Sequence, residues 1–203
     1  MVYRETPDIA RRKAELRERL LQSAESLVRS GGFKALTIQA LAADAGVSVG
    51  SVYRYFKNKD QLATEVFEHA TRRELRAVAA ALTSAESPAS CIAAGTRVFA
   101  ERAFMAPRFA WALIAEPVDA AVDVARLEYR RSYTALFERV VARGVEQGQF
   151  APQRPGVTAA ALVGALAESL LGPLRASEEQ SEAELINELC RLSLRAVGGD
   201  PQP

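Results

Sequence analysis

The chain has 203 residues, 49% of them hydrophobic, enough for one large domain or two small ones with a sizeable core. The net charge of +1 hides an asymmetry: residues 1–60 hold 11 Lys or Arg against 7 Asp or Glu, whereas residues 61–203 hold 15 against 18. No apolar run reaches the roughly 20 residues of a membrane span, the charged N-terminus lacks the apolar segment of a secretion signal, and the widely separated Cys91 and Cys190 suit neither a disulfide framework nor a zinc module. A cytoplasmic protein with two reduced thiols, no membrane partner, no metal and no cofactor is expected.

In chain order, residues 1–9 read as a mobile arm. A first helix is predicted from about Ala10 to Ser30, burying Leu16, Leu20, Ala24, Leu27 and Val28 and stopped by Gly31 and Gly32. Arg11, Arg12 and Lys13 at its start have two readings, a solvated helix face or contacts to phosphate and the minor groove. Phe33 and Leu36 in the connection plug the small core of the first three helices.

The stretch TIQALAADAGVSVGSVYRYFKNK, Thr37 to Lys59, holds two short helices and a tight turn. Thr37 caps the first helix, Gly46 supplies the left-handed position that ends it, and Ser48 caps the second. Ile38, Leu41, Ala42 and Ala45 bury one face of the first, and Val47 and Val52 close the turn onto it. Val49, Gly50, Ser51, Tyr53, Arg54 and Tyr55 remain outward on the second, while Phe56 reads as core. A short helix presenting small, hydroxyl and basic groups ahead of a basic stretch suits the major groove of DNA. Asn58 and Gln61 then form a capping box for a fourth helix, which runs through Leu62, Val66, His69 and Leu75 to about Leu82. Lys57 and Lys59 beside its first amides make an anion site for a DNA phosphate, with plain solvation as the alternative. This helix leaves the first domain and enters the second, as a mechanical link.

The pieces T-I-x-x-L-A, A-G-V-S-x-G-x-x-Y-x-Y-F and K-x-K-D-x-L between Thr37 and Leu62 closely resemble the DNA-binding domain of the TetR family of transcriptional regulators. The resemblance, with the first helix, covers about the first third of the chain. It implies that Gly50 permits close approach, that Tyr53 and Lys59 touch phosphates, and that Ser48, Val49, Ser51, Arg54 and Tyr55 lie at or near the bases. Position 49 is often lysine in such proteins; valine removes that cation and leaves an apolar contact for a thymine methyl.

Beyond Thr83 the segment SAESPAS is a break, and Pro88 starts a fifth helix with Cys91, Ile92, Val98, Phe99 and Ala103 as its buried stripe. Pro107 and Pro117 bracket a short apolar helix containing Phe109, Trp111, Leu113 and Ile114. A long seventh helix is predicted from about Ala120 to Gln147, burying Val122, Ala125, Tyr129, Tyr133, Leu136 and Val140 before Gly148. The aromatic group of Phe99, Phe104, Met105, Phe109, Trp111, Tyr129 and Tyr133 reads either as packed core or as a cavity lining. The family resemblance implies the latter, with a small molecule held among the fourth to eighth helices. Glu116, Arg126 and Glu168 are the polar groups expected beside it. Asp119, Asp123, Arg126 and Arg130 also read as a salt-laced solvent face.

The eighth helix, about Pro155 to Gly172, is small and apolar almost all round, and Ser181 and Glu184 suit a capping box for a ninth that carries Leu185, Ile186, Leu189, Leu192, Ala196 and Val197. Ala159, Ala160, Ala161, Gly164, Ala165 and Ala167 would let another helix approach closely, so two such pairs from two subunits would form a four-helix interface, with Leu162, Leu166, Leu170, Leu185, Leu189 and Leu192 in it. Dimers built in this way are what the resemblance implies. The tail GGDPQP reads as disordered. The sole histidine, His69, has no nucleophile, metal-spacing or phosphate-loop motif around it, so no enzyme is expected.

The resulting expectation is an all-α protein of about nine helices. A three-helix helix-turn-helix DNA-binding domain occupies residues 1–60, and a larger helical ligand-binding and dimerisation domain occupies residues 61–203. Its function would be ligand-responsive regulation: a homodimeric repressor on a palindromic operator, released by a small apolar or aromatic effector. The alternatives are a constitutive DNA-binding dimer and a small-molecule binding module that has lost DNA binding.

Overall fold

The computed structural model describes residues 7–175 and 181–198. Among them lie nine α-helices and no strand: α1 Pro7–Gly31, α2 Ile38–Asp44, α3 Val49–Val52, α4 Lys59–Ala81, α5 Pro88–Phe104, α6 Pro107–Ala115, α7 Ala120–Glu146, α8 Pro155–Leu171 and α9 Glu182–Ala196, with a 3₁₀ turn at Phe33–Ala35 between the first two. Helix α1 starts at Pro7, whose ring suits a first helical position, and Asp8 lies in its first turn; residues 7–9 of the expected arm are therefore helical. The rest of that arm, and the tail after Gly198, lie outside the described residues.

Caps set most helix starts. Thr37, Ser48, Asn58, Ser87 and Ser181 each accept a hydrogen bond from an amide of the first turn, and proline opens α5, α6 and α8. Gly32 and Gly46, with φ of 76° and 66°, end α1 and the α2 turn in the left-handed region.

The buried side chains form two clusters. In the first, Leu20, Leu21, Ala24 and Val28 of α1 meet Phe33, Leu36, Ile38, Leu41, Val52 and Phe56, together with Leu62 to Ala70 of α4. Phe109 and Ala112 of α6 and Val122 and Ala125 of α7 complete it. In the second, Val78 and Leu82 beyond the middle of α4 pack with α5, the later part of α7, α8 and α9. Helix α4 thus crosses from one core to the other, so displacing it moves atoms in both.

The surface expected for a partner changes in this structure. Leu162, Leu166 and Leu170 of α8 and Leu189 of α9 are at most 3% exposed and belong to the chain's own second core. That burial follows because an apolar helix first satisfies the core of its own chain. Leu185 is half-buried, and Leu192 is 42% exposed. What α8 leaves outward is Val157, at 65% exposure, with Ala160, Ala161, Gly164 and Glu168.

Candidate functional site

Two regions carry the polar chemistry. The first is the exposed face of α3 with the start of α4. Thr37 Oγ1 accepts from the Ala40 amide at 3.0 Å, and Ser48 Oγ accepts from the Ser51 amide at 3.1 Å while sharing a 2.9 Å bond with Ser51 Oγ. These hydroxyls hold the turn. Val52 and Phe56 are fully buried beneath it, which turns Val49, Gly50, Tyr53 and Arg54 outward; Val49 is 38% and Tyr53 52% exposed. Tyr55 departs from the outward expectation: it is half-buried and packs on the first core.

Asn58 Oδ1 accepts from the Gln61 amide at 2.8 Å, and Gln61 Oε1 reaches back to the Lys57 amide at 2.8 Å, one residue beyond the usual partner of a capping box. Lys57 and Lys59 stand exposed beside this helix start. Among the described residues neither lysine nor Arg54 has an acidic partner, so three cations face outward unpaired. A Cβ placed on Gly50 would meet nothing nearer than Ser48 Oγ at 3.9 Å. The fold itself gains nothing from glycine there, and glycine weakens a helix.

The basic start of α1 is a different case. Arg11 pairs with Asp8 at 3.1 Å and Glu15 at 3.6 Å along its own helix, which favours the solvated-face reading of that residue.

The second region is a cavity of about 280 Å³ lined mainly by α4, α5, α6, α7 and α8 and open to solvent on one side. Helical spacing aims Phe67, Thr71, Glu74 and Val78 of α4 and Arg126, Tyr129, Arg130 and Tyr133 of α7 into it. Of the residues expected there, Phe99, Met105, Phe109, Arg126, Tyr129 and Tyr133 line it. Phe104 and Trp111 do not: both pack on the second core, with the Arg175 guanidinium 5.2 Å above the Trp111 ring. Glu168 lies exposed on α8, and Glu116 is buried elsewhere. The α4 wall was missed because its spacing is equally that of a core-facing stripe.

Among the described residues, every charged group lining the cavity except Arg130 is paired. Arg102 donates twice to Glu74, and Arg73 also pairs with Glu74. Arg73 and Arg29 converge on Glu25 at 2.8 and 3.1 Å. Burial alone would push the Glu25 carboxyl up, but these two guanidiniums outweigh it and hold it below its ordinary value. Arg126 pairs with Asp123 at 2.6 Å and donates to the carbonyls of Leu113 at 3.0 Å and Glu116 at 2.9 Å, closing the end of α6. Its burial pulls the guanidinium below its usual value. Burial likewise pushes the Tyr133 phenol well above the ordinary tyrosine range, so it stays neutral.

Glu116 ties the end of α6 to the turn that follows α1. It is 5% exposed, and its carboxylate accepts from the Phe33 amide at 2.8 Å and the Lys34 amide at 3.3 Å, at the 3₁₀ turn that follows α1. Gly32 makes room for it, since a Cβ there would fall 2.5 Å from Glu116 Oε2. Nearby, the Tyr129 hydroxyl donates to the Glu68 carbonyl of α4 at 3.1 Å. Both cysteines are free, buried thiols, and no group of three His, Cys, Asp or Glu among the described residues is placed to hold a metal. No helix among the described residues is long and apolar enough to cross a membrane.

Comparison with known proteins places this geometry. Residues 20–66 match the family of bacterial regulatory proteins, tetR family. The chain is 40% identical over 60 residues to the HTH-type transcriptional repressor KstR2 of Mycolicibacterium smegmatis, a match spanning 30% of this chain and 29% of that protein. It is 23% identical over 95% of its length, and 97% of the other's, to YfiR of Bacillus subtilis, an uncharacterized HTH-type transcriptional regulator. Its fold is that of the transcriptional regulator FadR of Bacillus subtilis, solved in complex with stearoyl-CoA, with a TM-score of 0.77 at 14% identity, over 90% of this chain and 98% of that one. It also matches RolR bound to resorcinol, with a TM-score of 0.70 at 23% identity, over 95% and 92% of the two chains. The match to the tetR family thus covers the helix-turn-helix, residues 20–66, and the all-helical fold is shared along nearly the whole length with solved transcriptional regulators.

Proposed function

We propose that the protein is an effector-responsive repressor that acts in the cytoplasm, binding a palindromic operator as a homodimer and leaving it when a small apolar or aromatic molecule fills the cavity. The observation that carries this reading is the outward face of α3: Val49, Gly50, Tyr53 and Arg54, flanked by Lys57 and Lys59, form a cationic patch without acidic partners among the described residues and with a glycine that the fold does not need. Tyr53 and Lys59 take phosphates there, and Arg54 and Val49 reach base edges. The Thr37, Ser48 and Ser51 hydroxyls act first as turn-holding groups, and Tyr55 supports α3 from the core side.

Residues 1–60 would serve as the DNA-binding domain and residues 61–203 as the ligand and dimer domain, a division of labour with no break in packing, since α4 belongs to both cores. Two α3 helices must lie about 34 Å apart to enter successive major grooves. A ligand against Phe67, Thr71, Glu74 and Val78 bears directly on α4 and so on that spacing. It acts only through its preference for the non-binding conformation; a tenfold loss of DNA affinity needs about 1.4 kcal/mol of such coupling. The open cavity favours this reading over a constitutive dimer, whose second core would be filled, and relatives of the same fold were solved with stearoyl-CoA and resorcinol bound. The dimer would use the outward residues Val157, Ala160, Ala161 and Gly164 of α8 with Leu185 and Leu192 of α9, where small side chains let helices approach.

Operator binding measured against salt concentration tests the assignment. Lys59→Ala is expected to weaken binding on all sequences and reduce the salt slope by about one unit, and Arg54→Ala to change which bases are preferred. Equal losses on every sequence for Arg54→Ala would remove its base-reading role.

A further inference from the structure

Arg130 of α7 lines the cavity and is itself exposed, so it stands where the cavity opens to solvent. Among the described residues its side chain has no acidic partner, whereas the other cations of the wall do. Arg29 and Arg73 converge on Glu25, Arg73 and Arg102 on Glu74, and Arg126 pairs with Asp123. Arg130 also follows Arg126 by one helical turn, on the same side of α7. Burial depresses the Arg126 guanidinium, and the like charge of Arg130 depresses it further. Of the described residues lining the cavity, five are arginines and Glu74 is the one carboxylate, so the wall is cationic as well as apolar. Its apolar part includes Phe67, Phe99, Phe109, Leu113 and Ile114.

We infer that the cavity takes a carboxylic acid with an apolar body, which seats among these side chains while Arg130 holds the carboxylate at the opening. This deepens the reading of the cavity as the effector site and rests on it. A volume of about 280 Å³ admits a one- or two-ring body at interior packing density. A guanidinium presents paired N–H donors in the fork that a carboxylate accepts, and Arg130 has them unspent. At the opening the carboxylate keeps part of its hydration, so it escapes the large cost of burying an ion, and it relieves the repulsion between Arg126 and Arg130. One unpaired guanidinium balances one negative charge. A dianion would have to draw a second arginine away from Glu25, Glu74 or Asp123, and an uncharged analogue gains only the burial of its body.

Three probes with one body separate the possibilities: 2-naphthoate, its neutral counterpart 2-naphthamide, and 2-naphthyl phosphate with its second negative charge, titrated into the full-length protein by calorimetry near neutral pH. The expected order puts naphthoate about tenfold tighter than naphthamide, the size of one charge-assisted hydrogen bond, with naphthyl phosphate no tighter than naphthoate. Arg130→Gln, at an exposed position without an acidic partner among the described residues, is expected to melt with the parent, to bring naphthoate down to the affinity of naphthamide and to leave naphthamide unchanged. Added salt is expected to narrow the gap in the parent. Equal affinities for naphthoate and naphthamide, tightest binding of naphthyl phosphate, a gap that survives Arg130→Gln, or an Arg130→Gln protein that loses all three alike would overturn the inference. Exclusion of all three probes by a protein that still holds its selected DNA would overturn the ligand class and leave DNA binding standing. Preferential naphthoate binding that releases no DNA would support the ligand class and remove its effector role.

Discussion

Glu116→Ala is expected to destabilise the protein by about 3 kcal/mol, read as a lower urea midpoint at unchanged slope. The carboxylate is buried and takes the amides of both Phe33 and Lys34, and Phe33 is itself only 4% exposed. Alanine removes two charge-assisted hydrogen bonds and leaves the Phe33 amide without a partner, a larger loss than an ordinary surface change of about 0.5 kcal/mol. Glu116→Gln should fall between, because one amide oxygen still accepts a hydrogen bond while the side-chain NH₂ faces another donor. Gly32→Ala should act at the same seat, since at φ 76° its methyl would lie 2.5 Å from Glu116 Oε2. A loss below about 1 kcal/mol for Glu116→Ala would mean that this contact does not hold α6 to the end of α1.

The second large effect is on DNA. Gly50→Leu is expected to reduce operator affinity by about a hundredfold, roughly 2.8 kcal/mol, with folding stability unchanged or raised. The combination is diagnostic. Space around Gly50 is open within the chain, with nothing nearer than 3.9 Å, so the protein has no reason to resist the side chain, and leucine is the better helix former. Only a partner lying against α3 would resist it. Filter binding beside thermal unfolding measures both quantities, and undiminished DNA affinity would place the nucleic acid on some other face.

The start of the chain was legible because its signals are local. A hydroxyl three residues before an amide, or a glycine after an apolar turn, acts within a few residues, and Thr37, Ser48, Asn58 and Gly46 each do in the structure what their neighbours imply. The cavity was half legible. Aromatic residues of α5, α6 and α7 announced an unusual interior, but Thr71 and Glu74 of α4 have the spacing of any buried stripe, and only the cavity they border sets them apart. Glu116 was anticipated as a polar group of functional weight and misplaced, because its partners lie 83 and 82 residues away and no local pattern points to them. The leucines of α8 show the limit of periodicity. It reports that Leu162, Leu166 and Leu170 share an apolar face, not whether that face meets its own core or a second subunit. Here the chain's own core takes them, and small residues are left outside.

The measurement that bears most directly on the regulatory account is selection: the purified protein is mixed with random DNA duplexes at moderate salt, and what it retains is sequenced. An enriched palindrome, with half-sites separated by one helical turn or a multiple of it, is the expected result for two α3 helices about 34 Å apart. Recovery of unselected DNA, or of none, would contradict the account and leave the cavity domain as the functional part of the molecule.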